Sequence, residues 1–433
     1  MNNGRKLASI AVALLCIALV QGITIQGITQ ATTTPNDTIT PSQSDIVTLA
    51  NANNRFAFDM LQYIRDEDGN LFFSPYSIWQ AFALTYGGAR DSTADQMEAT
   101  LHYPVSQDEL PTAIHDLDLA LVGSAMSDDV AADEQLQLNI ANALWVQADF
   151  PFWSDYISLA TEDYGAAFQE VDFLADPENV ANMINTWVDD ATEGKITQVV
   201  ERDSFDEQTR FVMINAIYFN ASWRYQFDEE VTDDLDFSLL DGSIAQVPTM
   251  YLNADLNYTN QANYQAVELP YVGENLAMLV FLPNEGAFED FSATFTVDQF
   301  NATITALHSQ EDVRLYLPSF EYETDLNLVD PLSELGMPYL FDGQAADLTG
   351  IADLSNADLG NLYVSDAFHK AYVLVDESGT EAAAVTVQIG SALTEVQEPN
   401  YVILRIDRPF FFAIYDQSTQ TILFLGRVMN PAS

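Results

Sequence analysis

Residues 376–386 read Asp-Glu-Ser-Gly-Thr-Glu-Ala-Ala-Ala-Val-Thr and follow a strand-like run, Ala371–Val375. The chemistry open to them is that of the backbone. Ordinary strands cover a core with branched and aromatic side chains, whereas Gly379, Thr380, Ala382, Ala383 and Ala384 carry almost no bulk. Such a stretch can slip between neighbouring strands where a normal strand could not. With Thr380 turned inward, the two-residue period of a strand turns Ala382, Ala384 and Thr386 inward as well. No charge or proline falls on that face, and Glu381 falls on the opposite one.

Side-chain chemistry is sparse. The four histidines, His102, His115, His308 and His369, include no pair at metal-ligand spacing. The chain has no Gly-x-Ser-x-Gly, no phosphate loop and no zinc-protease motif. The single cysteine, Cys16, lies in an N-terminal apolar run, which leaves the body without a disulfide or a thiolate nucleophile. Neighbouring carboxylates are frequent, as chance alone dictates with 65 acidic residues. These absences argue against an enzyme: no catalytic residue, metal or cofactor is expected.

The charge balance excludes another class. Fourteen Lys and Arg against 65 Asp and Glu give a formal net charge of −51, spread through most segments. A nucleic-acid partner needs a basic footprint that this chain lacks. The acidity reads either as colloidal stability or as adaptation to high salt, where screening tolerates self-repulsion.

Stepwise along the chain, Arg5 and Lys6 precede the uncharged apolar run Leu7–Val20, the pattern of a secretory signal. Residues 1–22 are therefore read as a signal peptide, or as an uncleaved membrane anchor, and 23–44 as a Thr-rich linker. The protein is expected to be secreted. Residues 45–433 show no second break and no repeat, and hydrophobic content of 48% is enough for one large core. Helical spacing runs over Ile46–Ile64, with Phe56, Met60 and Ile64 on one face. Ser74-Pro75 opens a second helix ending near Gly87-Gly88. Further helices are predicted from Ser92 or Thr93 to Leu101, over Asp108–Val122, Asn179–Ala191 and 297–308. Gln135–Gln147 alternates as a long strand, and Phe211–Phe219 is apolar throughout, as a central strand covered on both faces would be. Short strands are expected from there through Phe281, then Val313–Leu317 and a buried pair, Phe410–Tyr415 and Thr421–Leu425. Helices first and strands later define an α+β protein with large, mostly antiparallel sheets.

Several motifs then fall in one order: Asn70-Leu-Phe-Phe-Ser-Pro-Tyr-Ser-Ile78, Thr192-Glu-Gly-Lys-Ile196, Asn215-Ala-Ile-Tyr-Phe-Asn-Ala-Ser-Trp223, Phe281-Leu-Pro-Asn-Glu-Gly286, Leu317-Pro-Ser-Phe320, Ala346-Asp-Leu-Thr-Gly350, Phe368-His-Lys-Ala371, Asp407-Arg-Pro-Phe410 and Phe424-Leu-Gly-Arg-Val-Met-Asn-Pro431. From about Ala50 to Pro431 the chain resembles the serpins, in the manner of a secreted prokaryotic member. The family is a known case of strand addition to an existing sheet.

The resemblance implies a single domain of eight to nine helices and three sheets. It also implies an exposed reactive loop at about 377–400, whose hinge is Glu377, Gly379, Thr380, Glu381, Ala382, Ala383 and Ala384. Ser74, Ser77, Asn215 and His369 resemble the polar cluster where the main sheet opens, and Trp223 the aromatic at its top. Counting from Glu377, the bond Leu393–Thr394 is the implied cleavage site, with Ala392 as the next choice. A leucine there suits chymotrypsin-like, subtilisin-like or elastase-like serine proteases. The implied function is inhibition of serine-type endopeptidases as a suicide substrate; the alternative is a non-inhibitory binding or storage serpin. No heparin-type polysaccharide is expected as partner, since Gln107–Val122 holds no Lys or Arg. A monomer is expected.

Overall fold

The computed structural model describes residues 43–125, 137–201, 204–205, 209–273, 275–356, 360–380 and 401–432. Residues 1–42 lie outside them, so the signal segment and nearly all of the 23–44 linker are not covered.

Helices come first: α1 (Gln43–Ile64), the short strand β1 (Leu71–Phe73), α2 (Pro75–Gly88), α3 (Asp91–Leu101) and α4 (Leu110–Ala125). Phe56, Met60 and Ile64 of α1 are all buried, as their spacing demands. The start of α2 is dictated locally. Ser74 caps it by accepting the Ser77 N–H at 3.1 Å, and Pro75 has no N–H to leave unpaired. Apolar almost all round, α2 is buried almost all round. A Cβ at Gly88 would lie 2.2 Å from the Ile351 side chain, so the closing glycine permits contact with a distant segment.

The middle of the chain alternates: β2 (Gln137–Gln147), α5 (Ser154–Ser158), β3 (Ala167–Val171), α6 (Pro177–Ala191), β4 (Phe211–Ser222), β5 (Asp233–Ser238), β6 (Ile244–Asn260), β7 (Tyr264–Pro270), β8 (Leu276–Pro283), α7 (Phe288–Thr294) and α8 (Val297–Ala306). The last third holds β9 (His308–Pro318), β10 (Phe320–Asn327), α9 (Val329–Leu335), β11 (Asp366–Val375), β12 (Gly379–Thr380), β13 (Val402–Arg405), β14 (Phe410–Asp416) and β15 (Ile422–Val428). Among the described residues this makes nine α-helices. Where short strands were expected before Phe281, β6 is one strand of 17 residues. The short helices α5, α7 and α9 escape a periodicity reading because seven residues or fewer scarcely complete two turns.

The six-stranded sheet runs β10-β11-β4-β2-β3, with β12 added on β4. The nine-stranded sheet runs β1-β15-β14-β8-β7-β6-β9-β13, with β5 on β6. Its two parts share β6 and β9, whose pairing shifts register between Ala254 and Leu256. Such a bulge bends a strand pair. On one side of it lie β5 and β13, on the other β7, β8, β14, β15 and β1, so two of the three expected sheets are continuous. Pairing is mixed: β11–β4, β2–β3 and β9–β13 are parallel.

The layers follow from alternation along β4. Phe211, Met213, Ile217, Phe219 and Ala221 face the main core, where α2 packs between β15 and β4. Val212, Ile214 and Ala216 face a second, smaller core under α6, with Val180, Ile184 and Val188. Covered on both faces, β4 reads as a continuous apolar run.

Candidate functional site

Two groups of residues lie along β4, about eight residues apart, or roughly 26 Å at the rise of a strand. The first is at its middle. Three adjacent strands each place one polar residue in an otherwise apolar inward row: Asn142 of β2, Asn215 of β4 and His369 of β11. Asn142 and Asn215 are cross-strand partners, as are Asn215 and His369. From the helix side, Ser74 and Ser77 at the start of α2 meet them.

The hydrogen bonds fix the protonation of this group. The Ser74 N–H can only donate, and it donates to His369 Nε2 at 3.1 Å. The ring proton therefore sits on Nδ1 and is given to Asn215 Oδ1 at 2.5 Å. That orients the Asn215 amide nitrogen toward Asn142 Oδ1 and Ser77 Oγ, both at 2.5 Å. Burial, complete at 0% exposure, pushes the His369 pKa down to about 3, and the ring is neutral. Ser74 and His369 are not paired as nucleophile and base. His369 Nε2 is occupied by a backbone N–H, and Ser74 Oγ donates to the Leu423 carbonyl at 2.7 Å. The arrangement ties β11, β4 and β2 to one helix end.

The second group is at the far end of β4. Pairing of β11 with β4 stops at Ala371–Ile217. Beyond it the chain turns at Asp376, whose carboxylate accepts the N–H groups of Ser378 at 2.9 Å and Gly379 at 3.1 Å. It then comes back as β12, antiparallel to β4, with Gly379 opposite Ser222 and Thr380 opposite Ala221. Because β12 touches both β4 and β11, it occupies the upper end of the seam between them. Trp223 holds the turn with its backbone N–H on Ser378 O and its indole N–H on Asp376 O, both at 2.9 Å. Phe227 N–H donates to Glu377 O at 2.9 Å, and Thr232 Oγ1 to Glu377 Oε1 at 2.5 Å. A Cβ on residue 379 would lie 2.2 Å from Ala221 O, so only glycine fits this approach. Thr380 is buried with its side chain inward, where Oγ1 meets Tyr271 Oη at 2.8 Å.

Ser74, Ser77, Asn215 and His369 are thus brought together, and Trp223 stands apart with Glu377, Gly379 and Thr380. Glu381, Ala382, Ala383, Ala384, Ala392, Leu393 and Thr394 lie outside the described residues. Sequence reasoning missed Asn142, Asp376 and Tyr271. Asn142 did carry a signal, since it interrupts the apolar set Leu138, Ile140, Leu144, Val146 of its strand. Tyr271 follows a strand end and had none.

With this geometry in place, the comparisons agree on one family. Residues 51–431 match the model of the serpins (serine protease inhibitors). The chain is 36% identical to an uncharacterized serpin-like protein of Thermococcus kodakarensis, over 92% of this chain and 89% of that one. It is 33% identical to the leukocyte elastase inhibitor of Xenopus laevis, over 88% and 99%. The crystal structure of the thermophilic serpin tengpin in its native state superposes with a TM-score of 0.77 at 27% identity, covering 92% of this chain and 97% of tengpin. The chain belongs to the serpin family, and its fold is the serpin fold. Members of that family are typically inhibitors of proteases rather than catalysts.

Proposed function

We propose that this protein inhibits serine-type endopeptidases of apolar primary specificity, acting as a suicide substrate. One observation carries the reading: Gly379 and Thr380 already form an antiparallel rung on β4 at the top of the β4–β11 seam. Each further residue added to that ladder steps one place back along β4. Ala382 would then meet Phe219, Ala384 would meet Ile217 and Thr386 would meet Asn215, all on the inward face. The small side chains at these positions suit a strand entering a filled core.

The protease performs the chemistry. Its serine oxygen attacks the carbonyl carbon of Leu393 and the C–N bond to Thr394 breaks. The Thr394 amine leaves with a proton from the protease's own general acid, and Leu393 remains as an ester on the serine. The freed loop then inserts and carries the acylated protease with it before water completes hydrolysis. Insertion exchanges one parallel pairing, Asp366–Ala371 with Val212–Ile217, for antiparallel ladders on both flanks. At about 1 kcal/mol net per hydrogen bond, ten residues contribute on the order of 10 kcal/mol. The uncleaved form is in this reading a kinetic trap, and the His369–Asn215 bond spans the seam that must part.

Mixing the purified protein with a chymotrypsin-like and a subtilisin-like protease tests the proposal. The expected product is a covalent complex that survives denaturation, with mass spectrometry placing the cut after Leu393. Clean cleavage by both enzymes without complex would favour the binding or storage reading.

A further inference from the structure

We infer that Tyr271 is the receptor for the first inward side chain of the loop, and that it sets the register in which the loop adds to β4. Tyr271 belongs to the other sheet system, at the turn between β7 and β8, and reaches β4 through an isolated bridge to Trp223. Its ring stacks on the Trp223 indole with centroids 4.6 Å apart and planes 10° from parallel, and meets Phe219 edge-on at 5.3 Å. Phe219 belongs to the end of β4 and Trp223 directly follows it, so the ring is packed against that end of the strand. The phenol is completely buried, and burial raises its pKa well above the ordinary value. It is a neutral hydroxyl, and Thr380 Oγ1 at 2.8 Å answers it.

Two consequences follow from elementary chemistry. A buried hydroxyl without a partner is costly, so withdrawal of Thr380 from the seam is opposed by the phenol it leaves behind. And the side-chain period of a strand is two, so a slip of one residue would turn every inserted side chain to the other face. A hydroxyl pair at the first rung fixes Thr380 inward and therefore Ala382, Ala384 and Thr386 after it. Glycine at 379 and the Asp376 turn allow the approach; the Tyr271–Thr380 pair selects the register.

The consequence for inhibition rests on the insertion reading above, but the contact itself is tested in the uncleaved protein without any protease. Tyr271→Phe and Thr380→Val each delete one hydroxyl and keep the shape. Hydrogen–deuterium exchange of peptides covering 376–380 and 219–224 reports opening of the hinge. Each single variant is expected to speed exchange there about fivefold, the effect of one net hydrogen bond. The double variant should be no faster than the faster single, because the two hydroxyls act as one unit. Unchanged exchange in either single variant, or effects that multiply in the double, would overturn the assignment. A protein that captures no protease would sink the inhibitor reading and leave this result standing or falling by itself.

Discussion

At the scale of single residues, His369 carries the clearest pH signature. Its pKa is about 3 in the fold, from burial, against about 6.5 for a free histidine. Between those values the unfolded chain binds a proton that the folded chain refuses. Stability is therefore complete above about pH 6.5 and falls as pH drops toward 3. From pH 7.5 to 5.5 this group alone should cost about 1.4 kcal/mol, seen as a lower urea midpoint. His369→Gln has nothing to titrate there and should lose less over the same interval. Equal losses would mean that His369 is not the responsible group. Ser74, Ser77, Asn215 and His369 were legible through the motifs that resemble those of the serpins, while Asn142 was missed although it breaks the apolar row of its strand, as Asn215 does within Phe211–Phe219 and His369 between Ala367 and Ala371. What no pattern conveys is that the three breaks align at one level of one sheet. That alignment depends on register between strands 73 and 154 residues apart.

At the scale of elements, β4 and β11 divide their faces between two tasks. His369 looks to α2, while Lys370 and Tyr372 look to the segment that follows α6. There Ile196, Val199 and Val200 pack over Val212, Ile214, Ala216 and Tyr372. Lys370 Nζ donates to Gln198 O at 2.8 Å and pairs with Glu323 of β10 at 3.0 Å, its side chain only 13% exposed. Lys195 lies over the Tyr372 ring, 5.7 Å from its centre. The segment is thus strapped across the seam by two of the chain's 14 cations. Asp325, whose pKa burial raises and Lys370 opposes, shares the site. Lys370→Met should loosen the strap: proteolysis or amide exchange within 192–200 should rise several-fold, consistent with losing ~1–2 kcal/mol of charge-assisted bonding, and the core of β14 and β15 should be unaffected. Protection unchanged at 192–200 would mean the apolar contacts alone hold the segment. The long elements were readable because their periods run for three or more turns or for many alternations. The helix α6 and strand β4 were placed within a few residues, whereas the strap was not foreseen, since its bonds run to backbone carbonyls and across strands.

At the scale of the molecule, the fold is an α+β body whose main sheet pairs β4 and β11 in parallel only over Val212–Ile217 and Asp366–Ala371. Gly379 and Thr380 stand at the upper end of that seam. The order of elements and the sheet class followed from hydrophobic period and turn residues. The continuity of the nine-stranded sheet did not, because it depends on one bulge in a strand of 17 residues. Two of the few cations are placed in the sheets, Lys370 of β11 at the strap and Arg427 of β15, buried and donating to the carbonyls of Glu67 and Gly69. The central claim is that the loop can complete the sheet once it is cut. Scanning calorimetry before and after a single cut in the loop tests it most directly. If ten new rungs form, the gain of about 10 kcal/mol should raise the melting temperature of a domain this large on the order of 10 °C. A cut protein that melts at the same temperature as the intact one, or below it, would contradict the account.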